Sequence, residues 1–214
     1  MGRLSVAALT ALMLGAGLSP ACAQVIEFDS GGLKYLTQTR SGVTVMFAEL
    51  PEAVREYTVL QVAVSNGSPS TRTIKPEDFR FERADGTVLN ATPARTVVNG
   101  FLERGGRNDV IRLVGTYESG LYGLSKFRST SGYESRRQQA LAEVGSTKLK
   151  AAAAASAIVF VQTKLTPGGT TDGAVFFATY GKPMGAGKLI VTPGAERFEF
   201  PIGGDRHPGE LRIR

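Results

Sequence analysis

The sequence predicts a mainly β fold, a β-sandwich with a helical insertion between its two strand blocks. Three observations predict it. The 214 residues include 26 glycines and no tryptophan, the balance of short strands joined by tight turns. Apolar residues recur at period two near both ends of the chain. Between those blocks the period becomes helical.

The first 23 residues read as a cleavable secretory signal. Arg3 supplies a basic start, Leu4 to Leu18 form an apolar stretch too short to span a bilayer, and Ala21-Cys22-Ala23 precedes Gln24 as a small-x-small site. Cleavage there removes the only cysteine, leaving no thiol for a disulfide, a nucleophile or a metal. The competing reading is a lipoprotein signal in which Cys22 becomes the lipidated N-terminus. Such signals want Leu three residues before the cysteine, and Leu18 stands four before it. The expected location is therefore the periplasm or the exterior, with anchoring through Cys22 as the alternative. Residues 24–214 are long enough for one domain with its own core, the helical insertion falling at about 92–156. No second span follows the signal, so the mature chain is expected to have no transmembrane segment.

In the first strand block, Leu33 to Thr39 and Val43 to Phe47 are short β-prone runs. Tyr57 to Ser65 then places Leu60, Val62 and Val64 on one face. Asn66-Gly67-Ser68-Pro69 stops that strand. After Ile74, Pro76 and Asp78, Phe79 and Phe81 alternate, and Asp85-Gly86 makes a hairpin turn into Val88 and Leu89. The last block repeats the grammar with Ile158 to Leu165, the turn Thr166-Pro167-Gly168-Gly169, Ala174 to Tyr180, Lys188 to Thr192, and Arg197 to Ile202. Leu60, Val62, Val64, Phe79, Phe81, Val175, Phe177, Phe198 and Phe200 are expected in one core between two sheets. Period two leaves open which of Phe176 and Phe177 points inward.

In the insertion, Thr92-Pro93 reads as a cap followed by proline at the first helical position. Val110, Leu113, Val114, Tyr117, Leu121 and Leu124 fall on one stripe of a helix from around Asn108 to Leu124. A second helix is expected from around Glu134 to Ala155, where the alanine run gives high propensity and Gly145 marks a kink or break.

The chain resembles the telokin-like immunoglobulin-fold extracellular domains of unknown function found in bacterial secreted proteins and lipoproteins. The resemblance rests on Val62-Ala63-Val64-Ser65-Asn66, Pro76-Glu77-Asp78-Phe79-Arg80-Phe81 and Asp85-Gly86. It rests further on Pro167 to Phe177 and on Phe198-Glu199-Phe200-Pro201-Ile202. It spans about two thirds of the mature chain and implies an immunoglobulin-like sandwich outside the cytoplasm, with no catalytic residue to carry over. The helical stretch departs from the simple pattern.

Chemistry-bearing motifs are scarce. His207, the only histidine, lies in a glycine-flanked tail with Asp205 two residues before it, which reads as a solvated tail residue. With one histidine and no mature cysteine, zinc and copper sites are not expected within one chain, and no Asp-x-Asp-x-Asp-Gly calcium run occurs. No metal or cofactor is expected. Gly181-Lys182-Pro183-Met184-Gly185-Ala186-Gly187-Lys188 mimics a phosphate loop. It is followed by Leu189-Ile190-Val191, a strand, where such a loop needs Ser or Thr and a helix. No Gly-x-Ser-x-Gly elbow is present. Asn66-Gly67-Ser68 and Asn90-Ala91-Thr92 are formal glycosylation sequons.

Charge is the most informative functional signal. Between Arg104 and Lys164 there are ten Lys/Arg and four acids, an excess of six in a chain whose formal net charge is +6. The basic character thus belongs to the insertion. A solvated helix face explains it in structural terms; contact with phospholipid headgroups or an acidic envelope partner explains it in functional ones. Arg128, Arg136, Arg137, Lys148 and Lys150 are the expected contact residues. The expected function is a non-enzymatic interaction module of the cell envelope that binds a protein or an anionic surface, with peripheral membrane contact and no nucleic acid, which export disfavours. The alternative is an envelope hydrolase or carbohydrate-acting enzyme using carboxylates from loops.

Overall fold

Alternating and continuous apolar runs of the first block pair in sequence order. β1 (Ile26–Ser30), β2 (Leu33–Arg40), β3 (Val43–Glu49) and β4 (Tyr57–Asn66) form an antiparallel meander, and β9 (Thr170–Ala178) joins β4 to complete the sheet β1-β2-β3-β4-β9. This computed structural model describes residues 24–123, 138 and 145–203. A second antiparallel sheet has the order β11-β10-β6-β7, from β6 (Phe79–Arg83), β7 (Val88–Asn90), β10 (Gly187–Val191) and β11 (Phe198–Ile202). A short pair joins β5 (Arg72–Ile74) to β8 (Thr163–Leu165). The fold is mainly β, with antiparallel sheets and three α-helices among the described residues: α1 (Ala94–Arg104), α2 (Arg107–Gly123) and α3 (Thr147–Ile158).

Period two sorts the first sheet into two buried faces. On one face Leu36, Val45, Phe47, Leu60, Val62 and Val175 meet Phe79, Phe81, Leu189, Val191, Phe198 and Phe200 of the second sheet in a single core. All nine residues expected there are present. The register explains the fit: Phe79 and Phe198 flank Val191, and Phe81 and Phe200 flank Leu189. Phe47 and Phe200 meet edge to face at 5.0 Å, a favoured aromatic geometry.

The opposite face of the first sheet carries a second core. Tyr35, Ala48, Tyr57, Val59, Ala174 and Phe176 lie under Val97, Phe101, Leu113, Tyr117 and the buried alanines of α3. The order of layers is therefore helices, five-stranded sheet, four-stranded sheet. This explains why β4 and β9 are buried almost end to end: a sheet covered on both faces lacks a polar side. It also settles Phe176 against Phe177. Both are buried, Phe177 in the inter-sheet core and Phe176 beneath the helices.

Several boundaries differ from the sequence-based expectation. β1 is not among the expected strands, although Ile26-Glu27-Phe28-Asp29 alternates apolar and polar residues; Glu27 is buried, its carboxylate 2.8 Å from Lys34 Nζ. Ile158, expected to begin a strand, instead ends α3, because its side chain continues the buried face of that helix. The chain turns extended at Val159, and β8 begins only at Thr163. The helix expected over Glu134–Ala155 is interrupted where Gly145 marks a break: Gly145 and Ser146 are non-helical and α3 begins at Thr147, while of residues 134–144 only Gln138, which is helical, is described. Pro93 is the N-cap of α1 rather than its first residue, so the helix begins one residue later than expected, and the Pro93 carbonyl accepts from Val97 N at 3.1 Å.

Candidate functional site

The helix layer is the element that departs from a plain sandwich, and its packing decides which side chains reach solvent. α1 buries Val97 and Phe101, α2 buries Leu113 and Tyr117, and α3 lies against both. In α3, Ala151, Ala152, Ala154, Ala155 and Ala157 are all buried. The alanine run is thus an inner surface, small enough for neighbouring backbones to approach. Gly105 shows how close they come: a Cβ there would lie 2.6 Å from Ala151 Cβ, so only glycine fits.

Ion pairs fasten this layer to the β3–β4 turn. Arg55 Nη1 donates to the Arg104 carbonyl at 2.7 Å and to Asp109 Oδ2 at 3.1 Å. The same Asp109 oxygen accepts from Gly106 N at 2.8 Å, at the start of α2, where a carboxylate also suits the helix dipole. Arg104 Nη2 sits 2.7 Å from Glu56 Oε1, and Arg112 Nε 3.6 Å from Glu52 Oε2. These cations serve the fold at least in part.

Others do not. Lys148 and Lys150 are exposed in the first turn of α3, and Arg95 and Arg107 are exposed on α1 and α2; none forms an ion pair among the described residues. Glu103 is the one exposed acid on the described parts of these helices. The α3 N-terminus has no acid in its first turn and no side-chain bond from Ser146. Two lysines there oppose the helix dipole. Helix stability therefore does not account for their presence.

Of the five contact residues expected from sequence, Lys148 and Lys150 are exposed on α3. Arg128, Arg136 and Arg137 lie outside the described residues, as do His207, Leu124 and the leader 1–23. The sequence reading does not single out Arg95 and Arg107. Helical spacing offers no signal for Arg107, which stands three residues before Val110 and seven before Val114 of the apolar stripe and is exposed as the first residue of α2.

Elsewhere the chemistry is thin. Gly181 to Ala186 lie in the loop from β9 into β10, and Gly187 and Lys188 already begin β10, where a phosphate loop needs a helix. Residues 182–186 of that loop, with Arg83, Ala84 and Asp85, line an open cleft of about 440 Å³. Arg83 Nε donates to the Met184 carbonyl at 3.1 Å. Asp85 is the only carboxylate lining that cleft, and the Thr87 N–H at 2.8 Å holds it below the usual carboxylate range. Among the described residues no group of three or more His, Cys, Asp or Glu gathers in metal-binding fashion. None of the described helices is long and apolar enough to cross a membrane. Asn66 is not a usable glycosylation site in the folded chain: it is fully buried, Nδ2 donating to the Ser70 and Leu165 carbonyls while Oδ1 accepts from Ser68.

No protein-family model and no curated protein matches the chain. Among solved structures it is similar to the crystal structure of the yjhA protein from Bacillus subtilis, a structural-genomics target. The two share 8% identity over 78% of this chain and 77% of that one, at a TM-score of 0.32. A likeness at that level carries no argument about function.

Proposed function

We propose that this protein is an exported, non-enzymatic interaction module in which an immunoglobulin-like sandwich carries a helix layer that binds an anionic partner of the cell envelope. The strand connectivity supports the immunoglobulin-like reading. β3-β4-β9 follows the A-B-E order of one immunoglobulin sheet, and β11-β10-β6-β7 follows G-F-C-C′ of the other. On that mapping the helices occupy the connection between C′ and E, and β1-β2 is an added hairpin. Function on such a frame resides in what is grafted onto it.

The observation that carries the binding role is the exposed set Arg95, Arg107, Lys148 and Lys150, with Glu103 as the only exposed acid on the same described helices. A face of one sign attracts a partner of the other and accelerates encounter. Export to the periplasm or exterior rests on the leader; retention through Cys22 is the alternative, and the mass of the mature N-terminus distinguishes them.

The test is association of the mature protein with isolated envelope fragments. Wild type should co-sediment at low ionic strength, and reversal of Arg95, Arg107, Lys148 and Lys150 to glutamate should abolish this without lowering the unfolding midpoint. Equal binding by the reversed protein would reject the helix layer as the contact surface.

A further inference from the structure

Charge alone does not explain the outer surface of the helices. Among the described residues the exposed large hydrophobics are Val88, Leu102, Ile111, Leu149, Val161 and Tyr180, and each described helix contributes one of them. Ile111 is 58% exposed and Leu149 47% exposed. Each stands two positions from a buried residue of its own helix, Leu113 and Ala151, which places it on the opposite side of a helix with 3.6 residues per turn. Each is also flanked in sequence by cations: Arg112 follows Ile111, and Lys148 and Lys150 bracket Leu149.

We infer that the anionic partner is the surface of a phospholipid bilayer, with Ile111 and Leu149 entering the headgroup region while Arg107, Lys148 and Lys150 meet phosphates. This rests on the reading of the helix layer as an anion-binding face. A soluble polyanion or an acidic protein patch rewards the cations and leaves two aliphatic side chains in water. A bilayer interface rewards both, because apolar side chains sink about 5–10 Å below the phosphates while long basic chains reach back to them. The pattern matches peripheral contact, in keeping with described helices that are too short or too polar to span.

The experiment uses the mature full-length chain, vesicles of pure phosphatidylcholine, vesicles with about one quarter phosphatidylglycerol, and a sulfated-dextran resin. Wild type should sediment with the anionic vesicles and not with the neutral ones. The double variant Ile111→Ser/Leu149→Ser should bind anionic vesicles about tenfold more weakly, the loss of two partly inserted side chains, while its retention on sulfated dextran is unchanged. Because the chain has no tryptophan, Leu149→Trp supplies a single fluorescent reporter, whose emission should shift to the blue on anionic vesicles. A double variant that binds vesicles as wild type does, or an indole emission that does not move in the Leu149→Trp protein, overturns the bilayer inference and leaves the anionic-partner reading standing. Wild type held by the resin but not by the vesicles has the same meaning. Wild type held by neither overturns both.

Discussion

Tyr117 of α2 donates its hydroxyl to Asp172 Oδ2 of β9 at 2.8 Å, with both side chains buried. This bond joins the helix layer to the central sheet at a point where the surrounding residues, Ala63 and Ala174, are small and apolar. Tyr117→Phe keeps the ring and removes one donor from a buried carboxyl group. We expect a loss of about 1–3 kcal/mol in chemical denaturation, with the sheets unaffected by circular dichroism. An unchanged denaturation midpoint would mean that this bond adds nothing to the packing and ion pairs that hold the helices.

A second prediction concerns alkaline stability. Tyr35 is fully buried, donates to Gln61 Oε1 at 2.8 Å, and burial pushes its phenol up to about 12. The unfolded chain releases that proton near pH 10, so between about pH 10 and pH 12 the native state binds more protons than the unfolded state. Stability is then full below pH 10 and falls as pH rises through that window. For two pH units the loss is about 2–3 kcal/mol. Tyr57 is displaced in the same direction, by burial first and by Glu56 second, so Tyr35→Phe should flatten the pH 10–12 decline without eliminating it. Denaturation midpoints at pH 8 and pH 11 for both proteins test this.

Close packing against β9 gives a third prediction. A Cβ at Gly173 would lie 2.7 Å from Phe160 Cα and 3.0 Å from Phe160 N, backbone atoms that cannot swing aside. The Phe160 N–H also donates to the Ala174 carbonyl at 2.8 Å, covering the outer edge of β9. Gly173→Ala should therefore destabilise by about 1–3 kcal/mol, read as a lower thermal midpoint.

The inter-sheet core was legible in the sequence because β6 and β11 each bury one face, so Phe79 and Phe81 or Phe198 and Phe200 mark it by alternation alone. The second core was not. β4 and β9 are covered on both faces, so alternation there carries no direction, and Phe176 beside Phe177 is the clearest instance. The alanines of α3 spoke for helix but not for burial, since alanine favours a helix wherever it lies. The basic character of the helix layer was legible as a charge excess. That layer's exposed apolar members were not, because Ile111 and Leu149 show themselves only against the buried Leu113 and Ala151.

The placement of Lys148 and Lys150 yields a fourth prediction, in which stability and binding move in opposite directions. Both lie in the first turn of α3, where no acid balances the helix dipole. Lys148→Glu and Lys150→Glu should each stabilise the fold by about 0.3–1 kcal/mol at low salt, while weakening attachment to an anionic surface. Such a trade-off is the mark of residues kept for function. A destabilised variant would show instead that the lysines support the helix.

Location, rather than net charge, should make the helix layer the contact surface. Two triple reversals to glutamate change the net charge equally: Arg107, Lys148 and Lys150 on the helices, and Lys75, Lys164 and Lys182, all exposed, elsewhere on the molecule. Co-sedimentation with anionic envelope fragments should be lost for the first variant and largely kept for the second, with wild-type binding weakening as added salt screens exposed charges over about 8 Å. Equal loss in both variants would reduce the association to bulk charge and contradict the account.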